Sequence, residues 1–204
     1  IAAVVPLNDW SKSIDPVSGR VRTYVGRGLH LNGRDETEKS EDFIKSYAQD
    51  LFGIKMSKLN FAKSSKASRT KVIYQQTLDG YPIFGSTLAL LFEHGELQRV
   101  QSDLAQDGPL PPKPELGFAE AFASYRLSPV GDLHSSPVPI EKVELAQEPG
   151  LVPRLVLFPS GGELLFVYQF YVDEGSLNSS LKRSLVLFDP AHARVVKKTV
   201  LQVE

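Results

Sequence analysis

Seven residues in the middle of the chain, Gly108-Pro109-Leu110-Pro111-Pro112-Lys113-Pro114, limit its fold more than any other stretch. Proline has no amide donor and holds φ at about −65°, so neither a helix nor a central strand passes through such a run. Whatever lies on either side must bury its own core. The chain has the material for this, because 204 residues, 42% of them hydrophobic, suffice for two ordinary domains. Residues 108–114 are therefore read as a linker.

The same order of elements is legible before and after it. Before it, Ser40 followed by Glu41 and Asp42 supplies an N-cap with acids in the first turn, and Gly53 supplies a C-cap. Phe43, Tyr47 and Leu51 recur every four residues, with Ala48 and Phe52 beside them, which makes one helical apolar stripe. Lys71 to Leu78 then alternates with period two, Ser86 to Glu93 reads as a second strand, and His94-Gly95 turns the chain into a third, Glu96 to Leu104. The stretch Lys55–Lys71, with six basic residues and no acid, reads as a solvated loop.

After the linker, Leu116, Phe118, Ala121, Phe122 and Tyr125 mark a second amphipathic helix. Strands are expected at Ile140 to Leu145, Arg154 to Phe158, Glu163 to Asp173, Lys182 to Asp189 and Arg194 to Val203, with Ser160-Gly161-Gly162 as a turn. Helix followed by antiparallel strands, twice over, is α+β architecture in two domains, each a sheet packed with a helix.

Residues 1–36 read as a β-hairpin extension, with Asp15-Pro16-Val17-Ser18-Gly19 between the extended runs Trp10 to Ile14 and Arg20 to Val25. A second turn, Asp189-Pro190-Ala191-His192-Ala193-Arg194-Val195, repeats its D-P-x-x-x-R-V pattern. Ala193 stands where the first has Gly19, and a left-handed backbone at alanine costs about 1 kcal/mol. A different turn type is expected at Ala193.

Composition excludes several functions. Lysine plus arginine total 23 and aspartate plus glutamate 24, so no net field attracts nucleic acid or an anionic membrane. No apolar run approaches the roughly 18 residues of a membrane span. With no cysteine, thiolate metal sites and cysteine nucleophiles are absent. His30, His94, His134 and His192 are scattered over loops and turns, and none forms the helical i, i+4 pair that a zinc protease needs. Glu93-His94-Gly95-Glu96 lies in a hairpin turn, where neighbouring side chains diverge. Ser68-Arg69-Thr70-Lys71 matches S-x-x-K, but it leads into a strand that would point Ser68 and Lys71 apart. No catalytic residue, metal site or cofactor is expected.

One stretch resists the simple reading. Gly80-Tyr81-Pro82-Ile83-Phe84-Gly85 is bulky and apolar where a tight turn between strands belongs. Tyr74-Gln75-Gln76, then this segment and Ser86, then an apolar strand, an x-Gly turn and a strand ending Ser102-Asp103-Leu104 resembles the fungalysin/thermolysin propeptide motif. The positions that carry the resemblance are Tyr74, Gln75, Gly80, Pro82, Phe84 and Gly85, preceded by a helix ending Leu51-Phe52-Gly53. The second half is similar to a PepSY domain in the order of its helix, the strand Leu155-Val156-Leu157-Phe158, the turn Ser160-Gly161-Gly162 and the strand ending Leu187-Phe188-Asp189. Pro190, His192 and Ala193 depart from that family's usual turn.

The resemblance spans residues 37–204 and implies a propeptide domain at 37–107 followed by a cystatin-like PepSY domain at 115–204. It implies a prosegment of a secreted thermolysin-like zinc metalloprotease, acting as intramolecular chaperone and inhibitor. The partner is then the catalytic domain, in cis and possibly in trans, and the zinc is the partner's. A free-standing exported module that binds a peptide or a protease is the alternative. Secretion or export to a periplasm follows from either, and the start at Ile1 fits removal of a signal peptide or a truncated chain equally. Gly80 and Gly85 would allow the bend and Pro82 stiffen it, with Ile83 and Phe84 turned inward. Tyr81, with its polar tip, is the candidate for touching a partner there. Thr199, Val200, Leu201, Gln202, Val203 and Glu204 form the second candidate surface, either entering the protease cleft or ending the last strand. The basic run Lys55–Lys71 is a further candidate, for an acidic surface of the partner.

Overall fold

The computed structural model describes residues 7, 9–106, 108–127, 142–146, 151–175 and 182–201. The fold is α+β, with two helices and a predominance of strand among the described residues. The chain divides into two compact units, Ile1–Asp107 and Gly108–Glu204, and the division falls at the start of the proline run.

In the first unit the strands are β1 (Ser11–Ile14), β2 (Val21–Val25), β3 (Leu59–Lys66), β4 (Thr70–Leu78), β5 (Tyr81–Glu93) and β6 (Glu96–Ser102). They pair antiparallel in the order β1-β2-β6-β5-β4-β3. The N-terminal hairpin thus enters the same sheet through β2 and β6. Alternate residues Tyr24, Val72, Tyr74, Leu88, Leu90 and Val100 are buried and share one core cluster with Phe43, Ile44 and Ala48 of the first helix. Phe43 is fully buried, and its truncation to alanine is worth about 3–5 kcal/mol.

The first helix begins earlier than the expected Ser40 cap. Asp35 is the N-cap, its carboxylate accepting from the Thr37 and Glu38 amides at 2.9 Å each. Ser40 is buried one turn on, and its hydroxyl donates to the Glu36 carbonyl at 2.6 Å. The helix runs through Glu36–Phe43, a π-helical segment Ile44–Ala48, and Gln49–Phe52. The wider π turn keeps residues four apart more nearly in line than the 3.6-residue α turn does, which suits the Phe43, Tyr47, Leu51 stripe. Gly53 ends the helix at φ 69°.

In the second unit β7 (Lys142–Leu145) and β8 (Arg154–Ser160) both pair with β9 (Glu163–Gly175), at opposite ends of it. β10 (Lys182–Asp189) and β11 (Arg194–Leu201) continue the antiparallel sheet. The second helix, Phe118–Leu127, buries Ala121 and Tyr125 against Phe170, Val172, Val186 and Phe188. Its aromatic rings meet the sheet edge to face, Tyr125 on Phe170 at 5.3 Å and Phe122 on Phe170 at 5.5 Å between centroids.

The repeated D-P-x-x-x-R-V turns are alike, contrary to the expectation at Ala193. Asp15 accepts from the Val17 and Ser18 amides at 2.7 and 2.9 Å, and Asp189 accepts from those of Ala191 and His192 at 3.0 and 3.3 Å. Gly19 has φ 68° and Ala193 has φ 48°, so alanine does take the left-handed conformation. The buried Asp189 carboxylate also meets His192 Nδ1 at 2.8 Å and Arg194 Nε at 3.4 Å. These contacts fix the turn strongly enough to hold a strained residue.

Candidate functional site

The hairpin at 74–86 is built differently from the expected six-residue bend. Leu78 and Tyr81 are directly opposed, so the turn is Asp79-Gly80 alone, with φ 49° and 83°. Two positive-φ residues match the twist of antiparallel strands. Tyr81, Pro82 and Ile83 are already strand β5. The irregularity comes next: Thr77 pairs with Pro82, but Gln75 pairs with Thr87, so Ile83–Ser86 stands against Gln76 alone. Gly85, at φ 72°, supplies the left-handed residue that this bulge needs.

Two glutamines close the bulge. Gln75 Nε2 donates to the Ile83 carbonyl at 2.6 Å and to the Ser86 carbonyl at 2.8 Å. Gln76 and Ser86 are each 1% exposed, and the Ser86 hydroxyl donates to Gln76 Oε1. The Ala105 amide donates to Gln76 Oε1 at 2.9 Å and to Ser86 Oγ at 2.7 Å, which ties the chain beyond β6 to the same knot. Buried polar groups are stable when mutually satisfied in this way. Ile83, 1% exposed, fills the core beside them, so bulky residues stand here because the segment is sheet and bulge rather than an open turn.

Every carrier of the resemblance therefore has a place in one element. Tyr74 is buried, with its ring against Phe61 at 6.0 Å, and its hydroxyl has no hydrogen-bond partner. Burial, then the Glu41 carboxylate, pushes its pKa up to about 12. Gly80 and Gly85 are exposed, while Gln75, Tyr81, Pro82 and Phe84 are half-buried. Tyr81 lies in the strand opposite Leu78 rather than at the tip of a bend.

The other candidate surface lies in the second unit. Thr199, Val200 and Leu201 form the end of β11, opposite Leu185, Ser184 and Arg183 of β10. Among the described residues β11 pairs on one side only, and Val200 is 61% exposed. Gln202, Val203 and Glu204 lie outside the described residues. The same end of β10 is tied to β9 by Arg183, which meets the carboxylate of Asp173 at 2.7 and 2.8 Å and holds its pKa below the usual range.

The basic stretch is not a loop. Leu59–Lys66 is strand β3, on the edge of the first sheet, with only Leu59 buried. Phe61 pairs with Tyr74 and Lys63 with Ile73, so Ala62 is a bulge. Lysines and a bulge are devices that discourage a further strand from adding to an edge. Among the described residues no three His, Cys, Asp or Glu side chains converge to hold a metal. Glu93 and Glu96 face each other across the His94-Gly95 turn, and Glu93 accepts from Arg69 at 3.1 Å. Among those residues no helix is long and apolar enough to cross a membrane.

The Gln76–Ser86–Ala105 knot escaped the reading of the sequence, although a signal was present. Val72, Tyr74, Gln76 and Leu78 alternate as one strand face, and a glutamine among core positions demands a partner. Compared with models of known protein families and with curated proteins, the chain matches none.

Proposed function

We propose that this chain is the prosegment of a thermolysin-like zinc metalloprotease, which assists folding of the catalytic domain and inhibits it until release. Its two units are independent domains in this reading, a propeptide domain and a cystatin-like PepSY domain. The observation that carries it is the hairpin 74–86, in which Gln75 and Gln76 close the Ile83–Ser86 bulge behind the Asp79-Gly80 turn. Gln75 and Gly85, two of the residues that carry the resemblance, act together in that bulge with Gln76 and Ser86.

The segment from Thr199 onward is the proposed contact with the protease cleft. Val200 is exposed on a strand that pairs on one side only among the described residues, and an extended segment with bulky apolar side chains can enter an apolar specificity pocket. Tyr81 is a secondary candidate. Tethering makes weak binding sufficient: at an effective concentration on the order of 1 mM, a dissociation constant of about 1 μM leaves about one molecule in a thousand open. After the junction is cut, dilution weakens the complex, and proteolysis of the released piece makes activation irreversible.

The test is refolding of the denatured catalytic domain of a thermolysin-like protease from the same organism, with and without this chain supplied in trans. A rise in active yield with the chain present supports the proposal. An unchanged yield together with no binding of the folded enzyme refutes it, and peptide binding under those conditions would favour a free-standing exported module.

A further inference from the structure

The first sheet has a second face, opposite the core cluster. Residues paired across antiparallel strands share a face, and one row of pairs crosses the sheet: Lys71 opposes Leu91, Leu91 opposes Arg99, and Arg99 opposes Val25. Their neighbours Val72, Leu90, Val100 and Tyr24 are buried on the helix side, so this row points the other way. Lys71 and Arg99 are exposed, and Val25 is 40% exposed.

Around the middle of the row lies a depression of about 230 Å³, floored by Val25 and Leu91 and rimmed by Arg27, Arg69 and Arg99. Glu93 is the carboxylate on its wall, and it is engaged by Arg69. Arg27 donates to the neutral Gln98 side chain at 3.1 Å and makes no ion pair among the described residues. Arg99 makes no ion pair among the described residues. A chain with a net charge of −1 thus concentrates unbalanced cations on one sheet face, beside an apolar floor.

We propose that this face docks an acidic peptide segment of a partner protein, with glutamate or aspartate carboxylates on the arginine rim and an aliphatic side chain on Val25 and Leu91. Guanidinium groups match carboxylates in planar two-point contacts. Nucleic acid fits less well, because the rows on this face (Lys71, Leu91, Arg99 and Val25, then Ile73, Ala89, Gln101 and Thr23) carry no aromatic ring to stack a base. The inference holds whichever polypeptide supplies the segment, so it stands or falls apart from the protease reading.

The experiment is fluorescence anisotropy of a labelled peptide alternating glutamate and leucine, titrated with the full chain at low ionic strength. Heparin fragments and phosphatidylserine vesicles are titrated in parallel. Saturable peptide binding is expected, weakened about tenfold by Arg99→Glu on the rim and similarly by Lys71→Glu, the exposed cation beside Leu91 in the same row, since charges around a docking face govern such encounters. Lys45→Glu, exposed on the first helix, should leave it unchanged. Circular dichroism of each variant reports whether the fold is kept. No peptide binding, equal affinity of Arg99→Glu and Lys71→Glu with the unmodified chain, or binding of heparin or vesicles in place of the peptide overturns the proposal.

Discussion

Gln75 donates its side-chain amide to the carbonyls of Ile83 and Ser86, at 2.6 and 2.8 Å, and so closes both ends of the four-residue bulge with one side chain. Substitution Gln75→Leu leaves both carbonyls without that donor. A cost of about 1–3 kcal/mol is expected, since an unmade bond to a buried group costs more than a made bond contributes. Urea unfolding of the full chain measures it, and a loss below a few tenths would show that the bulge holds without the glutamine.

Tyr74 provides the opposite case, a buried hydroxyl without a hydrogen-bond partner. Tyr74→Phe removes the unsatisfied group and keeps the ring that packs on Phe61, so stability should stay level or rise by about 1 kcal/mol. The pKa raised to about 12 has a sign: the folded state holds the phenolic proton more tightly than the unfolded chain. Its contribution is present below about pH 10 and is lost as pH rises toward 12. That alkaline loss should be smaller in Tyr74→Phe when unfolding is followed across this range.

The Asp173–Arg183 pair joins adjacent strands with side chains only 16% and 14% exposed. Hydrogen bonding to Arg183 lowers the Asp173 pKa in the folded state, so the stabilisation is present above the ordinary value of 3.8 and fades as pH falls below it. Asp173→Asn should cost about 1–3 kcal/mol near pH 7. The difference between variant and unmodified protein should shrink in acid. Equal stability of the two at neutral pH would contradict the assigned role.

Ala193 holds φ 48° where the matching turn has Gly19. Ala193→Gly relieves that backbone and should stabilise the protein by about 1 kcal/mol, and Gly19→Ala should destabilise it by a similar amount. Thermal or urea unfolding of both variants decides the point; destabilisation by Ala193→Gly would mean that the turn relaxes in solution.

What the sequence revealed depended on whether the signal was periodic or local. The stripes Phe43, Tyr47, Leu51 and Phe118, Ala121, Tyr125 are set by burial against a sheet, and both helices lie where they indicate. The cap was misplaced because Ser40 has the right chemistry, but Asp35 has it one turn earlier, with Glu38 bracing the Arg34 amide at 2.8 Å. Strand β3 was hidden because an edge strand with a single buried residue lacks hydrophobic alternation. At Gly80–Gly85 the glycines marked left-handed residues correctly, but whether these make one wide bend or a tight turn plus a bulge depends on cross-strand register. Register is set by partners distant in sequence, such as Ala105 on Gln76.

Inhibition tests the proposed function most directly. The purified chain is added to a folded thermolysin-like zinc protease from the same organism, and peptide hydrolysis is measured beside a chain lacking residues 199–204. Inhibition by the whole chain, lost on the truncation and weakened by Val200→Asp, is the expected result. Full protease activity at saturating chain concentration, or inhibition indifferent to residues 199–204, would contradict the proposed contact.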